Sequence, residues 1–324
     1  MNKSDVCLVY VTYHPDAQFP VRLKSVASQV DSLIIVDNGS TDDALHMLNE
    51  IAANPAIRLV LNSENLGIAA ALNIGIQQAV ILGYRWVLLL DQDSRVHADL
   101  VDALLEVQES FPDKNRLAVL GSGYAPHGSS EPTDHVAPGN QGHSQAAAPL
   151  WDEVECAITS GSLLSLDAYS VIGPFREEFF IDHVDYEYCV RARASGYRVI
   201  QTRRSLMSHS IGAPTQHKVL WFKKWTTNHS ADRRYYFARN DTVMLRESGN
   251  YKWGLWAIKG LMRSFRTCKR IVLYEREKVR KSVAVIHGWW DGVRGNMGPR
   301  RAYTPGTIRT SRTTPPSSTA RAAR

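Results

Sequence analysis

The sequence predicts an α/β chain built on a doubly wound, mostly parallel sheet, with a basic helical segment toward the C-terminal end. Three observations carry that prediction. Short β-rich apolar runs alternate with helical patterns through the first hundred or so residues, as strand–helix–strand units do. Turn and capping residues cluster where the apolar runs stop. The charge is also uneven. Residues 251–301 hold thirteen Lys or Arg against three acids, although the 324-residue chain has a net charge of only +6. The basic excess is therefore a property of that segment and its partner, not of the whole chain.

The elements follow in order. Residues 6–11 are a β-rich run that breaks at His14-Pro15. Residues 33–36 form the second run and end in Asp37-Asn38-Gly39-Ser40-Thr41-Asp42, a cluster of turn formers. Residues 57–61 and 86–90 read as the third and fourth strands. Between them, residues 68–82 carry apolar side chains almost all round, which implies a buried helix. Leu100, Leu104, Val107 and Phe111 recur at helical spacing. Residues 124–149 then dissolve into Gly, Pro, Ser, Ala and His. They read as a mobile surface insert; His127, His135 and His143 match no recognised zinc spacing. Order resumes at Trp151. A turn at Gly173-Pro174 leads to residues 179–188, which open a helix closed near Gly196.

Composition is that of a soluble globular protein. Residues 1–5 run straight into a strand and do not resemble a signal peptide. No segment reaches the apolar length of a bilayer span. Cys7, Cys156, Cys189 and Cys268 are scattered and read as free thiols in a reducing cytoplasm.

The chemistry concentrates at Asp91-Gln92-Asp93-Ser94, the mouth of the fourth run. In an extended backbone, residues two apart point the same way, so both carboxylates converge on one small volume. They repel unless a cation joins them, and hard oxygen ligands suit Mg²⁺ or Mn²⁺. Open α/β sheets bind ligands at the carboxyl ends of their strands. The competing reading makes Asp93 or Ser94 the N-cap of the next helix. Asp37 ends another strand on the same edge, and Asn65-Leu66-Gly67 precedes the buried helix; turn chemistry and a plain helix entry are their alternatives. Asp182, Asp185 and Glu187 form a second acidic cluster. They either serve the helix dipole, with Glu187 paired to Arg191, or place a base beside a bound sugar.

Together these residues resemble the family 2 inverting glycosyltransferases of the GT-A fold, in particular their rhamnosyltransferase branch. The resemblance spans roughly residues 6–298. It rests on six motifs in the family's order: Val36-Asp37-Asn38-Gly39-Ser40, Asn65-Leu66-Gly67-Ile68-Ala69, Leu89-Leu90-Asp91-Gln92-Asp93-Ser94, residues 180–188, His209-Ser210-Ile211-Gly212, and residues 234–240. It implies that Asp37 holds the nucleoside, and that Asn65 and Gly67 line the sugar-nucleotide pocket. It makes Asp93 a ligand of a divalent cation, with Asp91 close by and His209 as the third protein ligand. Asp185 becomes the general base, with Asp182 and Glu187 on the acceptor side. Tyr236, Arg239 and Asn240 become a motif closing over the donor.

The same resemblance divides the chain into residues 1–95, the nucleotide-sugar half, and residues 96–245, the metal and acceptor half. A basic amphipathic helical segment (246–298) and a disordered tail (299–324) follow. It points to dTDP-L-rhamnose as donor and to a lipid-linked glycan or rhamnolipid-type glycolipid as acceptor. Cations interleaved with Trp and Tyr suit an anionic membrane surface, so docking on the inner face of the cytoplasmic membrane is expected, and nucleic acid is not; a helical subdomain with solvated Lys and Arg is the alternative. Another nucleotide sugar is the nearest alternative. A sugar nucleotidyltransferase would present a Gly-rich loop after the first strand, where this chain has Thr12-Tyr13-His14-Pro15. A non-catalytic membrane adaptor would not need the second acidic cluster.

Overall fold

The computed structural model describes residues 2–124, 149–208, 215–219, 222–226, 228–249 and 254–300. The first strand, β1 (Val6–Thr12), is buried along its whole length. Cys7, Val9 and Val11 face one core, while Val6, Leu8 and Tyr10 face the other. A strand covered on both faces must be apolar at every position, which is why this run shows no alternation. Helix α1 (Phe19–Ala27) leads to β2 (Leu33–Asp37), and α2 (Asp42–Ile51) leads to β3 (Ile57–Leu61). Helix α3 (Ile68–Ile81) precedes β4 (Trp86–Asp91). Fully burying each Val, Leu or Ile of β1, β2 and β4 contributes about 1.5–3 kcal/mol, so polar residues are confined to the ends of those three, whereas the part-exposed β3 carries Arg58.

The first four strands pair in parallel in the order β3-β2-β1-β4. Thr12 stands beside Asp37, and Val11 beside Asp91, so their carboxyl ends share one edge. Helix α3 is buried nearly all round from Ala69 to Ile76, as its sequence predicts, but its last turn exposes Val80 and Ile81. Gly75 lets it lie close on the sheet, since a Cβ there would sit 2.4 Å from Val9 Cγ1.

Beyond β4 the sheet becomes mixed. The chain passes through β5 (Arg95–Val96), α4 (Leu100–Ser110), β6 (Leu117–Tyr124) and β7 (Trp151–Glu153) to β8 (Ser162–Ser165), which pairs antiparallel with both β4 and β6. The mostly parallel sheet expected from the sequence thus holds for its first four strands. Strand β8 is only four residues long and runs against both neighbours, which antiparallel pairing permits. Helix α5 (Leu166–Ile172) and helix α6 (Val184–Ala194) precede β9 (Arg198–Ser208), which runs parallel to β6. A two-stranded hairpin, β10 (Thr215–Val219) and β11 (Phe222–Thr226), follows.

The C-terminal helices are α7 (Ala231–Glu247), α8 (Leu255–Tyr274) and α9 (Lys278–Arg294). Helix α9 packs so closely on α7 that a Cβ at Gly288 would lie 2.2 Å from the Tyr235 carbonyl oxygen. The stretch with His127, His135 and His143 lies outside the described residues, as does the tail from residue 301.

Candidate active site

The strand ends open into a cleft of about 610 Å³. One wall is the donor-side edge expected from sequence: Asn38, Asn65 and Gly67 line it. Asp91, Gln92 and Asp93 form its floor, and Phe180, Asp182, Asp185 and Arg233 form the opposite wall. The two acidic clusters, far apart in sequence, therefore share one cavity.

The floor is a turn. The Ser94 N–H donates to the Asp91 carbonyl at 3.0 Å, and buried Ser94 Oγ lies 2.6 Å from Ser160 Oγ. Helix α4 starts only at Leu100 and its N-cap is Asp99. Neither Asp93 nor Ser94 caps it, so the capping alternative fails. Gln92 locks the floor to the end of β1: its Oε1 accepts from the Tyr13 N–H at 2.6 Å and its Nε2 donates to the Tyr13 carbonyl at 2.9 Å. Arg22 reinforces the turn by donating Nε–H to the Gln92 carbonyl at 2.7 Å.

On the donor side, Asn65 Oδ1 accepts from Asn38 Nδ2 at 3.0 Å and from the Gly67 N–H at 2.9 Å, turning the chain into α3. Asp37 departs from expectation. It is fully buried, and its carboxylate accepts from Thr12 Oγ1 (2.9 Å), the Ser40 N–H (2.8 Å) and Ser40 Oγ (2.6 Å). These three donors draw it inward, so Asn38 rather than Asp37 lines the cleft.

The acceptor-side wall is made by an unusual loop. Phe180 adopts φ 64° and ψ −65° while the Ile181 N–H donates to the Phe179 carbonyl at 2.7 Å, a positive-φ γ-turn. Asp182 and His183 follow, both at φ 63°. Asp182 is held by Arg233, whose Nε and Nη2 both lie 3.1 Å from Oδ1. Asp185 opens α6. Burial is the main influence on its carboxyl and raises its pKa; the neighbouring Asp182 charge adds to this, while the Tyr186 N–H and His183 oppose it. A carboxylate raised in this way is a better proton acceptor near neutral pH.

Three further expectations are corrected. Arg239 and Asn240 do not face the cleft: both are completely buried behind the loop. Arg239 donates to the carbonyls of Glu178 (2.8 Å), Phe179 (2.9 Å) and Gly298, while Asn240 Nδ2 donates to those of Phe179 (3.0 Å), Ile181 (2.8 Å) and Asp182 (2.8 Å). Tyr236 stacks on the Phe180 ring with centroids 4.8 Å apart. This motif grips the loop because α7 lies directly behind it. Glu187 is buried too, bound by Arg191 through two contacts of 2.7 and 3.0 Å, and is absent from the cleft lining. His209 lies outside the described residues.

Gln92 and Arg233 escaped the sequence reading. A polar residue between two strand-end acids, and a cation opening the residues 234–240 motif, were the available signals.

Four carboxylates and one Arg line the cleft, so it is net acidic. An anionic ligand such as a nucleoside diphosphate would be repelled there without a cation. Among the described residues no set of three or more His, Cys, Asp or Glu forms a cage. Asp91 and Asp93 instead offer two hard oxygen ligands on an open floor, which fits an Mg²⁺ or Mn²⁺ ion that also takes ligand oxygens and water.

Comparison with known proteins agrees with this architecture. The family model for glycosyl transferase family 2 matches residues 7–164, from β1 through β8. The chain is 26% identical over 304 residues to the dTDP-rhamnosyl transferase RfbF of Shigella flexneri, covering 92% of this chain and 98% of that one. Among solved structures, the mannosyltransferase PcManGT from Pyrobaculum calidifontis, in complex with GDP-Man and Mn²⁺, superposes with a TM-score of 0.56 at 13% identity. That match covers 91% of this chain and 89% of PcManGT. GalNAc-T7 with UDP, GalNAc and Mn²⁺ gives a TM-score of 0.50 at 13% identity, over 63% of this chain but only 42% of that protein, so this chain spans less than half of it. A parallel sheet edge carrying the Asp91/Asp93 pair, the match over β1–β8 and the relative aligned over 92% of the chain lead to one assignment: residues 7–164 form a glycosyl transferase family 2 domain, and the chain has the GT-A fold.

Proposed function

We propose that this enzyme transfers L-rhamnose from dTDP-L-rhamnose to a hydroxyl of a lipid-linked glycan or glycolipid, with inversion at the anomeric carbon. One observation carries the chemistry: the Asp185 carboxyl, raised by burial, and the Asp91/Asp93 pair line one acidic cleft. The relative's similarity supports the choice of sugar, since no residue type in the cleft demands a 6-deoxy sugar.

The residues divide the work. Asn38 and Asn65 offer amide N–H donors for the nucleoside, each side-chain oxygen being already taken by two protein donors, beside Gly67 in the cleft lining. Asp91 and Asp93 would hold a divalent cation, with His209 as a third ligand, and that ion would offset the charge developing on the departing diphosphate. Asp185 takes the proton from the acceptor hydroxyl as its oxygen bonds to the anomeric carbon. The bond to the nucleoside diphosphate breaks on the opposite face, and a single displacement inverts the centre. Arg233 compensates Asp182, leaving Asp185 as the acid that faces the acceptor. The enzyme works at the cytoplasmic face of the membrane, where a soluble nucleotide sugar meets a lipid-borne acceptor.

A panel of nucleotide sugars tests the reading, scored for turnover with membrane lipid extract as acceptor. dTDP-L-rhamnose should turn over well ahead of UDP- and GDP-sugars, and the product should carry the inverted linkage by NMR. Preference for a UDP- or GDP-sugar overturns the choice of donor. EDTA should stop transfer and Mg²⁺ or Mn²⁺ restore it, and Asp93→Ala should abolish transfer without changing the far-UV CD spectrum. Undiminished turnover in chelator removes the cation from the scheme.

A further inference from the structure

We infer that the outer face of α8 seats the enzyme on an anionic lipid surface. Helix α8 buries Gly260, Ser264 and Ile271 against its neighbours. The opposite side is an exposed stripe of Leu255, Ile258, Met262, Phe265 and Val272, spaced every three or four residues apart from the place taken by Lys269. Phe265 is 70% exposed and Ile258 57%. Helix α9 repeats the pattern with exposed Val279, Val283, Ile286 and Trp290. A folded protein rarely leaves so regular an apolar row in water, and such rows mark contact surfaces.

Charge identifies the occupant. Residues 255–280 carry eight Lys or Arg against Glu275 and Glu277, and Glu275 is buried. Arg266, Lys269 and Arg270 are exposed along the border of the stripe or within it. Apolar side chains edged by cations fit the boundary between acyl chains and anionic headgroups, with long basic side chains reaching up to the phosphates. The seat is also tied to the acceptor loop. Arg263 of α8 pairs with Asp241 of α7, and Asp241 Oδ1 lies 3.6 Å from His183 Nε2, two residues before Asp185. A lipid-borne acceptor would thus arrive beside the wall that carries the proposed base.

Co-sedimentation with phosphatidylglycerol/phosphatidylcholine vesicles tests the seat with neither donor nor acceptor present, so its failure leaves the transfer reading standing, and the reverse holds. The full chain should bind anionic vesicles and largely ignore pure phosphatidylcholine. The triple variant Arg266→Gln/Lys269→Gln/Arg270→Gln should bind them on the order of a hundredfold more weakly. Met262→Ser/Phe265→Ser should lower binding and make the remainder easier to wash off with salt. CD melts would establish that both variants fold. Equal binding to neutral vesicles, or unchanged binding by both variants, overturns the proposal. So does a wild-type dimer in light scattering that becomes monomeric in Met262→Ser/Phe265→Ser while no form binds vesicles; the stripe is then a contact between copies.

Discussion

The two walls of the cleft are built by different means. The donor-side wall has positive φ at two glycines, Gly39 (86°) and Gly67 (89°), and at one other residue, His14 (48°), and most of its hydrogen bonds stay within neighbouring strand-end loops. The acceptor-side wall places three non-glycine residues, Phe180, Asp182 and His183, at positive φ within four positions. Each such residue costs on the order of 1–3 kcal/mol and persists only if its surroundings impose it. Here Tyr236, Arg239 and Asn240 impose it from α7. The donor wall is held mainly by its own loops, whereas the acceptor wall is held in a strained shape from behind, and that shape aims Asp185 into the cleft.

The largest expected effect tests what the strained wall is for. Asp185→Asn keeps size and polarity but cannot accept a proton at neutral pH. Turnover should fall by about 10²–10⁴, the range for lost general-base catalysis, while donor affinity by calorimetry stays unchanged. In the wild type, kcat should decline on the acid side at a pH above the usual carboxylate range, because burial raises Asp185. If Asp182→Asn loses more turnover than Asp185→Asn, the base has been assigned to the wrong carboxylate.

Next comes the point where the walls touch. The Phe180 carbonyl accepts from the Ile68 N–H at 2.7 Å, and a Cβ on Gly67 would stand 2.7 Å from that oxygen and 2.8 Å from Phe180 Cα. Gly67 lies at φ 89° and ψ 160°, a region essentially reserved for glycine, so Gly67→Ala carries a conformational cost on the order of 1–3 kcal/mol and in addition pushes the loop away. Gly83→Ala is the control: its φ is +82° but nothing lies within 4 Å. Urea unfolding should show Gly67→Ala to be clearly the more damaging, with a raised KM for the donor as well. Equal losses would mean that the contact between the walls contributes nothing.

The difference between the walls also decides what the sequence made legible. Strands β1 to β4 and the Asp91/Asp93 floor were readable because apolar runs, capping residues and strand-end acids act over a few residues. Helix α6 and its stop near Gly196 were readable for the same reason. The antiparallel return of β8 was not, since four residues (Ser162–Ser165) carry no periodicity that fixes direction. The roles of Arg239 and Asn240 were not either. A cation and an amide beside aromatic residues look the same whether they face a ligand or a backbone. Only the packing of α7 behind residues 178–182 distinguishes the two.

That packing is tested by Asn240→Ala. The change removes the Nδ2 donor from the carbonyls of Phe179, Ile181 and Asp182, although Phe179 keeps Arg239. A buried acceptor left without its partner costs about 1–3 kcal/mol, so the total should be on the order of 3 kcal/mol in urea unfolding. Because the loop aims Asp185, kcat should fall while the donor KM holds. A loss of donor affinity with stability intact would return Asn240 to the donor side, as its motif first suggested.

The smallest effect is a gain. Burial raises the Asp185 carboxyl in the folded protein, so the fold favours its protonated form more than the unfolded chain does. For such a group the stabilising contribution is complete below the unfolded pKa, about 3.9. It is lost as pH rises through the higher folded value. At neutral pH the wild type therefore folds with an ionised carboxylate in a place that disfavours ionisation, whereas the amide of the Asp185→Asn variant carries no charge there. That variant should be modestly more stable than wild type at pH 7, measured in EDTA so that no bound cation offsets the charge, and the gap should close as the pH falls below about 4. Asp182→Asn should behave oppositely, losing stability with its Arg233 pair. If Asp185→Asn instead melts below wild type at pH 7, the carboxylate is a structural acceptor, and the acceptor wall is strained for a reason other than placing a base.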